Sequence, residues 1–273
     1  MSIRAKKSLG QHFLRSVHSL AKIIEVADVT QGDLVLEIGP GEGVLTKKLV
    51  ACGAQVIGVE KDERCIDVLH ELFSEKATPP AIIHGDILDP ELEQMLFHKE
   101  YIGNRPYKVV ANIPYYITGA LFRLFLEKLR QPTSLTFLVQ KEVADQIIAR
   151  DGKESILSLA VKIYGDPEYG GKVKREAFSP PPKVDSAIIH VARISRMRLE
   201  GLSDDDFFRV LKAGFRARRK KLLGNFRDGL MLPKDLLEGV FDELHINKDI
   251  RGEDLTLPNW IALAKKLSTP NNK

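Results

Sequence analysis

The residues best suited to chemistry are the run Asn112-Ile113-Pro114-Tyr115, which directly follows the apolar Val109–Ala111. An exocyclic amine such as that of adenine is a poor nucleophile, because its lone pair is delocalised into the ring. The Asn112 side-chain carbonyl and a backbone carbonyl beside it, that of Ile113, can each accept one amine hydrogen. Together they would draw the nitrogen toward tetrahedral geometry. Tyr115 is placed to stack on the base and hold it in line with an electrophilic methyl group. No deep general base is needed before attack, since the proton can leave afterwards to water. Taken alone, the same four residues would simply end a strand.

A second group of residues suits a methyl donor. Gly39-Pro-Gly-Glu-Gly43 follows the apolar run Leu34–Ile38. Glycines let the backbone turn tightly and approach a ligand with no Cβ in the way. Such a loop fits a dinucleotide site, with helix amides facing a pyrophosphate, or a plain strand-to-helix turn. Three acids narrow the choice. Glu37, just before the first glycine, would oppose a pyrophosphate but suits an ammonium group. Glu60 ends the run VIGVE, where an acid accepts the hydroxyls of a ribose, as it also does in NAD sites. Asp86, in His84-Gly-Asp-Ile-Leu88, can accept from an adenine amine. Glu60 and Asp86 would otherwise be helix caps. Jointly Glu37, Gly39, Gly41, Glu60 and Asp86 fit an adenosine joined to an amino acid, which is S-adenosylmethionine; Ile87 belongs with them.

Two further segments lie outside this frame. Gln11-His-Phe-Leu14 sits in a basic arm before the first helix, and Gln11 and His12 join the cofactor candidates. His12 can be a general base, a ligand contact or an ordinary loop residue. Phe178 precedes a triple proline and can clamp a base from the opposite face, or pack in the core.

These groups need a scaffold that brings strand ends together. Strand candidates are Leu34–Ile38, Gln55–Glu60, Ala81–His84, Lys108–Ala111 and Leu135–Val139. Amphipathic stretches separate them: Gly43–Cys52, Glu63–Ser74, Thr118–Leu129 and Lys141–Ala149. This alternation predicts βαβ units on a parallel sheet, buried on both faces. Asp166–Glu176 and Val184–Arg193 read as a nearby pair of strands, more easily antiparallel than parallel. From Ser203 onward the pattern is helical. The expected fold is α/β: a mostly parallel sheet with one antiparallel strand near its end, in a domain of residues 1–197. A small all-helical domain follows, at 198–273.

Charge points to a polyanion. The total is only +4, yet residues 209–227 hold eight Lys/Arg and no acid, and the first fifteen residues hold four more, again with no acid. Arg216, Arg218, Arg219, Lys220 and Lys221, with Lys6 and Lys7 of the arm, are the candidate contacts to a polyanion, nucleic acid or membrane surface. Phosphate is their natural counterpart, and a solvated helical face is the alternative. A membrane-surface role would need an apolar face, and Phe215, Leu222, Leu223 and Phe226 can equally pack the small domain.

Other classes are excluded on composition. The 44% apolar and 29% charged content is that of an ordinary globular chain. The uncharged stretch Val109–Phe122 is too short and too polar to span a bilayer. The N-terminal residues lack the apolar run of a secretory signal. Cys52 and Cys65 have no metal-type spacing and read as reduced thiols in a cytosolic protein. No metal site is expected.

The segments GQHFL, VLEIGPGEGVLT, VIGVEKD, GDIL, NIPYYIT, LVQKEVA and AFSPPPKVDSAII stand in this order, followed by GFRARRKKL. Over essentially the whole chain they resemble the ribosomal RNA adenine dimethyltransferase family, in its bacterial small-subunit (16S) branch. The resemblance implies a Rossmann-like, class I S-adenosylmethionine-dependent methyltransferase sheet. It implies dimethylation of two adjacent adenosines in the hairpin loop near the 3′ end of 16S RNA, and a late role in small-subunit assembly. Cofactor contacts would fall on His12, Leu14, Gly39, Glu60, Asp86 and Asn112, and base contacts on Asn112, Tyr115 and Phe178. Family members often carry Asn where this chain has His12. The expected partner is the small ribosomal subunit, with no membrane partner, for a cytoplasmic monomer. One rival is the sister group that methylates large-subunit RNA and confers macrolide resistance. The FSPPPKVDS turn and the basic tail favour the small-subunit branch. Another rival is a non-catalytic nucleic-acid-binding factor on the same fold, against which the intact methylation motif argues.

Overall fold

A computed structural model describes residues 3–6, 9–128 and 130–268. A two-residue strand, β1 (Phe13–Leu14), precedes α1 (Val17–Val26), whose N-cap Ser16 accepts from the Ser19 amide. The expected alternation follows as β2 (Leu34–Ile38), α2 (Val44–Ala51), β3 (Gln55–Glu60), α3 (Glu63–Phe73), β4 (Ala81–His84) and α4 (Pro90–Leu96). It continues through β5 (Lys108–Asn112), α5 (Thr118–Arg123), β6 (Ser134–Gln140), α6 (Lys141–Ile148) and α7 (Ile156–Lys162). Three strands come next, β7 (Asp166–Val173), β8 (Phe178–Ser179) and β9 (Ser186–Ala192). The last four helices are α8 (Asp204–Gly214), α9 (Leu222–Leu230), α10 (Lys234–Glu243) and α11 (Leu257–Ser268).

Seven strands form one sheet in the order β4-β3-β2-β5-β6-β9-β7. Neighbours from β4 to β6 pair in parallel, and β9 runs antiparallel to both β6 and β7. Thus β9 is the one antiparallel strand, and the α/β class expected from the sequence is present. Strand order reverses between β2 and β5, which pair through Glu37 and Val110. The crevice beyond the carboxyl ends of those two strands is where open α/β sheets bind ligands. It is flanked by the glycine loop after β2 and by Asn112 at the end of β5. Separately, β1 pairs antiparallel with β8, setting Phe13 against Ser179 and Leu14 against Phe178.

Residues group into two compact units. One holds the described residues up to Ala144 together with Asp166–Ile194; the other holds Asp145–Gly165 and the described residues from Ser195. A single boundary after residue 197 therefore misassigns 145–165, which sequence order places in the sheet domain. The reason is local bonding: Arg198 donates to the carbonyls of Lys162 (2.6 Å) and Gly165 (2.7 Å), and Tyr164 donates to Asp204 (2.8 Å).

The helical unit packs around Trp260, which is fully buried and stacked on Phe215 with 5.3 Å between ring centroids. The basic residues Arg216–Lys221 lie on the non-helical connection from α8 to α9, not on a helical face. Buried Asn225 holds that connection, donating to the carbonyls of Gly214 (2.7 Å) and Ala217 (3.0 Å). Among the described residues no helix is long and apolar enough to cross a membrane.

Gly214 closes α8 against Trp260. A Cβ there would lie 2.3 Å from Trp260 Cη2 and 2.8 Å from Leu222 Cδ1. Gly214→Ala is expected to destabilise the protein by about 1–3 kcal/mol, read as a lowered urea midpoint. An unchanged midpoint would show that this packing yields freely.

Candidate active site

The floor of the site is the loop after β2. Gly39, Gly41 and Gly43 adopt φ of +65°, +58° and +75°, a region L side chains rarely enter. A Cβ on Gly43 would meet Leu72 at 2.7 Å, whereas nothing lies within 4 Å of that position on Gly39, which borders the cavity. Glu60, at the end of β3, is 5% exposed and fixes the loop. Its Oε2 accepts the Gly41 amide and its Oε1 the Asp62 amide, both at 2.8 Å. Burial pushes this carboxyl above its ordinary range, opposed by those amides. Asp86 accepts the Leu88 amide at 3.0 Å and pairs with Lys61 at 2.7 Å. Burial would raise its carboxyl, but Lys61 and the amide hold it below the usual range.

The opposite wall joins the N-terminal segment to the residues after β5. Asn112 Nδ2 donates to the His12 carbonyl at 3.1 Å, and among the described residues nothing donates to its Oδ1. The Pro114 carbonyl accepts the Ile117 amide at 3.2 Å, while no described donor reaches the Ile113 carbonyl. Tyr115 shares a 2.7 Å hydrogen bond with Ser186, and its ring lies against that of His12, centroids 6.0 Å apart and planes at 21°. Burial raises the Tyr115 phenol above its usual range. His12 Nδ1 lies 2.8 Å from the Pro180 carbonyl, so this nitrogen carries the proton.

One cavity gathers most of the expected residues. Gln11, His12, Gly39, Gly41, Glu60, Asp86 and Ile87 border it, as do Asn112, Ile113, Pro114 and Tyr115. Three expectations need correction. Leu14 and Phe178 do not border the cavity; they are 2% and 4% exposed. They pack with Leu20, Ile23, Val35 and Val110, because the β1–β8 pairing turns both side chains into the core. Phe178 is therefore not placed as a base clamp. Glu37 is 1% exposed and lies behind the cavity wall, beside the buried Thr46 hydroxyl. Burial pushes its carboxyl up to about 8, with the Glu60 charge adding to the effect.

These residues fit S-adenosylmethionine. Glu60 and Asp86 present acceptors for hydroxyls and an amine, and Gly39 leaves open space against the backbone. Among the described residues no group of His, Cys, Asp or Glu is arranged to hold a metal ion.

Sequence reasoning missed two residues. Asp62 accepts from Gln11, Lys6 and Arg64 just beyond Glu60. Its signal was an acid preceding a helix, two residues before an arginine. Tyr116, 65% exposed, borders the cavity beside Tyr115. Of the basic candidates, Lys6 pairs with Asp62 at 3.3 Å, and Lys7 lies outside the described residues. Arg216 donates to the Asp228 carbonyl at 2.5 Å, Lys220 pairs with the Asp228 carboxylate, and Lys221 pairs with Asp249 at 2.6 Å. Arg218 and Arg219 are exposed and without a partner among the described residues.

Residues 2–268 match a family model described as ribosomal RNA adenine dimethylase. A ribosomal RNA small subunit methyltransferase A of Dehalococcoides mccartyi is 43% identical over 260 residues, covering 95% of this chain and 87% of its own. Another, from Clostridioides difficile, is 34% identical over 270 residues, covering 98% and 92%. A solved dimethyladenosine transferase from Plasmodium falciparum has a TM-score of 0.78 at 26% identity, covering 93% of this chain and 98% of that one. The 23S rRNA methyltransferase ErmE has a TM-score of 0.74 at 27% identity, covering 94% and 100%.

Glu37 makes folding depend on pH. Its carboxyl is raised from 4.5 to about 8, so the folded chain keeps a proton that the unfolded chain releases. Stability from this group is complete below 4.5 and is lost as pH rises toward 8. Glu37→Gln is expected to remove that loss, its urea midpoint gaining on the wild type between these values. Parallel midpoint curves for the two proteins would rule the effect out.

Proposed function

The chain belongs to the ribosomal RNA adenine dimethylase family, and on that premise we propose that it dimethylates, at N6, two adjacent adenosines in the 3′-terminal hairpin loop of 16S RNA. The methyl donor is S-adenosylmethionine. The carrying observation is the held amide of Asn112. Its Nδ2 is committed to the His12 carbonyl, which leaves Oδ1 as the group offered to a target amine. The Ile113 carbonyl, free of described donors, is the second acceptor. Two acceptors on one amine localise its lone pair for attack. The Tyr115 ring, fixed by Ser186 and flanked by His12, gives the base a rigid surface to stack on. Glu60 accepts from the ribose and Asp86 from the adenine amine. When bound, S-adenosylmethionine supplies a sulfonium methyl that is already electrophilic. The target nitrogen then loses its proton to water.

The substrate is a late small-subunit particle in the cytoplasm, a reading supported by the small-subunit relatives and by the basic loop with free Arg218 and Arg219. The enzyme acts as a monomer.

The test is transfer of labelled methyl groups to unmethylated small and large subunits, with the modified bases mapped. Label on adjacent small-subunit adenosines is expected. Label in the large subunit alone would favour the resistance-type enzyme, and label in neither would favour a binding factor. In the same assay Asn112→Ala is expected to lose about 10²–10³-fold in rate, with RNA affinity nearly intact. A normal rate would remove Asn112 from the chemistry. For the loop, Arg218→Glu with Arg219→Glu is expected to weaken particle binding and to reduce the slope of log affinity against log salt by roughly 1–2. An unchanged slope would make these arginines solvated surface.

A further inference from the structure

Asp62 is bound more fully than a helix cap requires. Its side chain is 1% exposed. Oδ1 accepts from Arg64 Nε (3.0 Å), Lys6 Nζ (3.3 Å) and the Arg64 amide (3.4 Å). Oδ2 accepts from Gln11 Nε2 (2.9 Å) and Arg64 Nη2 (2.6 Å). The cap to α3 needs only the Arg64 amide. The bonds from Gln11 and Lys6 reach across more than fifty residues of chain and bring the N-terminal segment against the end of β3. The Arg64 guanidinium, with Gln11 and Lys6, holds the Asp62 carboxyl well below the usual carboxylate range. It is thus a charged acceptor, and hydrogen bonds to a charged group are the stronger kind.

This anchor lies between the two halves of the site. The Asp62 amide donates to Glu60 Oε1, on the cavity floor. Gln11 precedes His12, whose carbonyl receives the Asn112 amide. The His12 carbonyl is held also by the β1–β8 pairing and by the ring bond to Pro180, so loss of the Gln11 seat loosens that carbonyl and weakens the preference for one orientation of the Asn112 amide. A turned amide would present hydrogens to the target amine instead of an acceptor.

We propose that Asp62 is a positioning residue that acts through Gln11 to seat Gln11–Phe13, serving both cofactor binding and the orientation of Asn112. It does not border the cavity. The proposal deepens the function given above and rests on it for the activity readout.

The experiment is a charge exchange at the Asp62–Gln11 contact. Asp62→Asn keeps the helix cap, since Asn caps as well as Asp, but removes the charged acceptor. Gln11→Glu sets two carboxylates face to face. Each variant is expected to raise the dissociation constant of S-adenosylhomocysteine, measured by calorimetry without RNA, about tenfold. Each is also expected to lower single-turnover methyl transfer at saturating cofactor about tenfold. The double variant, Asp62→Asn with Gln11→Glu, restores an amide–carboxylate pair but not the acceptor for Arg64 Nη2, and is expected to recover part of both losses. The proposal is overturned if Asp62→Asn binds and transfers like the wild type. It is overturned equally if the double variant is no better than the product of its singles, because Asp62 and Gln11 would then act independently of each other. Normal cofactor affinity with no methylation of any ribosomal RNA by the wild type would defeat the proposed function, and the calorimetric values would still decide the seating of Gln11.

Discussion

The site depends on one buried carboxylate. Glu60 ends a strand paired on both sides, and its own backbone is fixed against His84 of β4. Burying an ionised carboxylate is costly unless its oxygens find donors, and here both accept backbone amides. One belongs to Gly41 and sets the loop after β2; the other belongs to Asp62 and sets the turn into α3. Each amide comes from a segment with no regular structure to hold it. The same carboxylate faces the cavity, so the group that shapes the walls is also the one available to a ribose.

From that point the arrangement spreads by short bonded steps rather than by packing. Asp62 holds Gln11, the next residue's carbonyl holds Asn112, and the ring of His12 lies against Tyr115. The apolar neighbours do a different task. Leu14 and Phe178 fasten β1 to β8 and fill the core beneath. A hydrophobic anchor therefore fixes where the N-terminal segment enters the site, and polar contacts fix its orientation once there. The sheet contributes the switch between β2 and β5, without which the glycine loop and Asn112 would not share a crevice.

Much of this was legible in the amino-acid sequence. Near-continuous apolar runs such as VVAN and LTFLV marked buried parallel strands, and glycines and acids at strand ends marked the crevice, because a ligand site at a switch point needs those residue types there. Other features were not legible, for physical reasons. Phe178 and Leu14 have the composition of site residues and core residues alike, and only the β1–β8 register shows which face they take. Glu37 alternates to the side of β2 behind the wall, a matter of one residue in the register. The grouping of 145–165 with the helical unit rests on bonds from Arg198 to carbonyls more than thirty residues away, which leave no local periodicity. The basic run reads as a helix because Lys and Arg are good helix formers. Asn225, a polar residue in the next helix, takes up the carbonyls of Gly214 and Ala217 in the loop conformation instead.

The charges show why a count of bases is a poor guide to where a polyanion binds. Among the described residues of the sheet unit, several cations near the cavity already face carboxylates: Lys61 with Asp86, Lys6 and Arg64 with Asp62, Arg15 with Glu42. A paired cation must give up or share its partner before it can neutralise a phosphate, and its field is largely cancelled beyond about a Debye length. These pairs orient the walls and add little net potential. On the connection after α8, Lys220 and Lys221 are likewise paired, but Arg218 and Arg219 are not. Free guanidiniums on an exposed loop meet phosphate with no competing partner to displace, and their planar forks suit its geometry. Among the described residues, Arg209, Lys220, Lys221 and Arg227 of the eight bases of residues 209–227 are ion-paired and the other four are not, so the value of the run to RNA lies in its unpaired members rather than in its number.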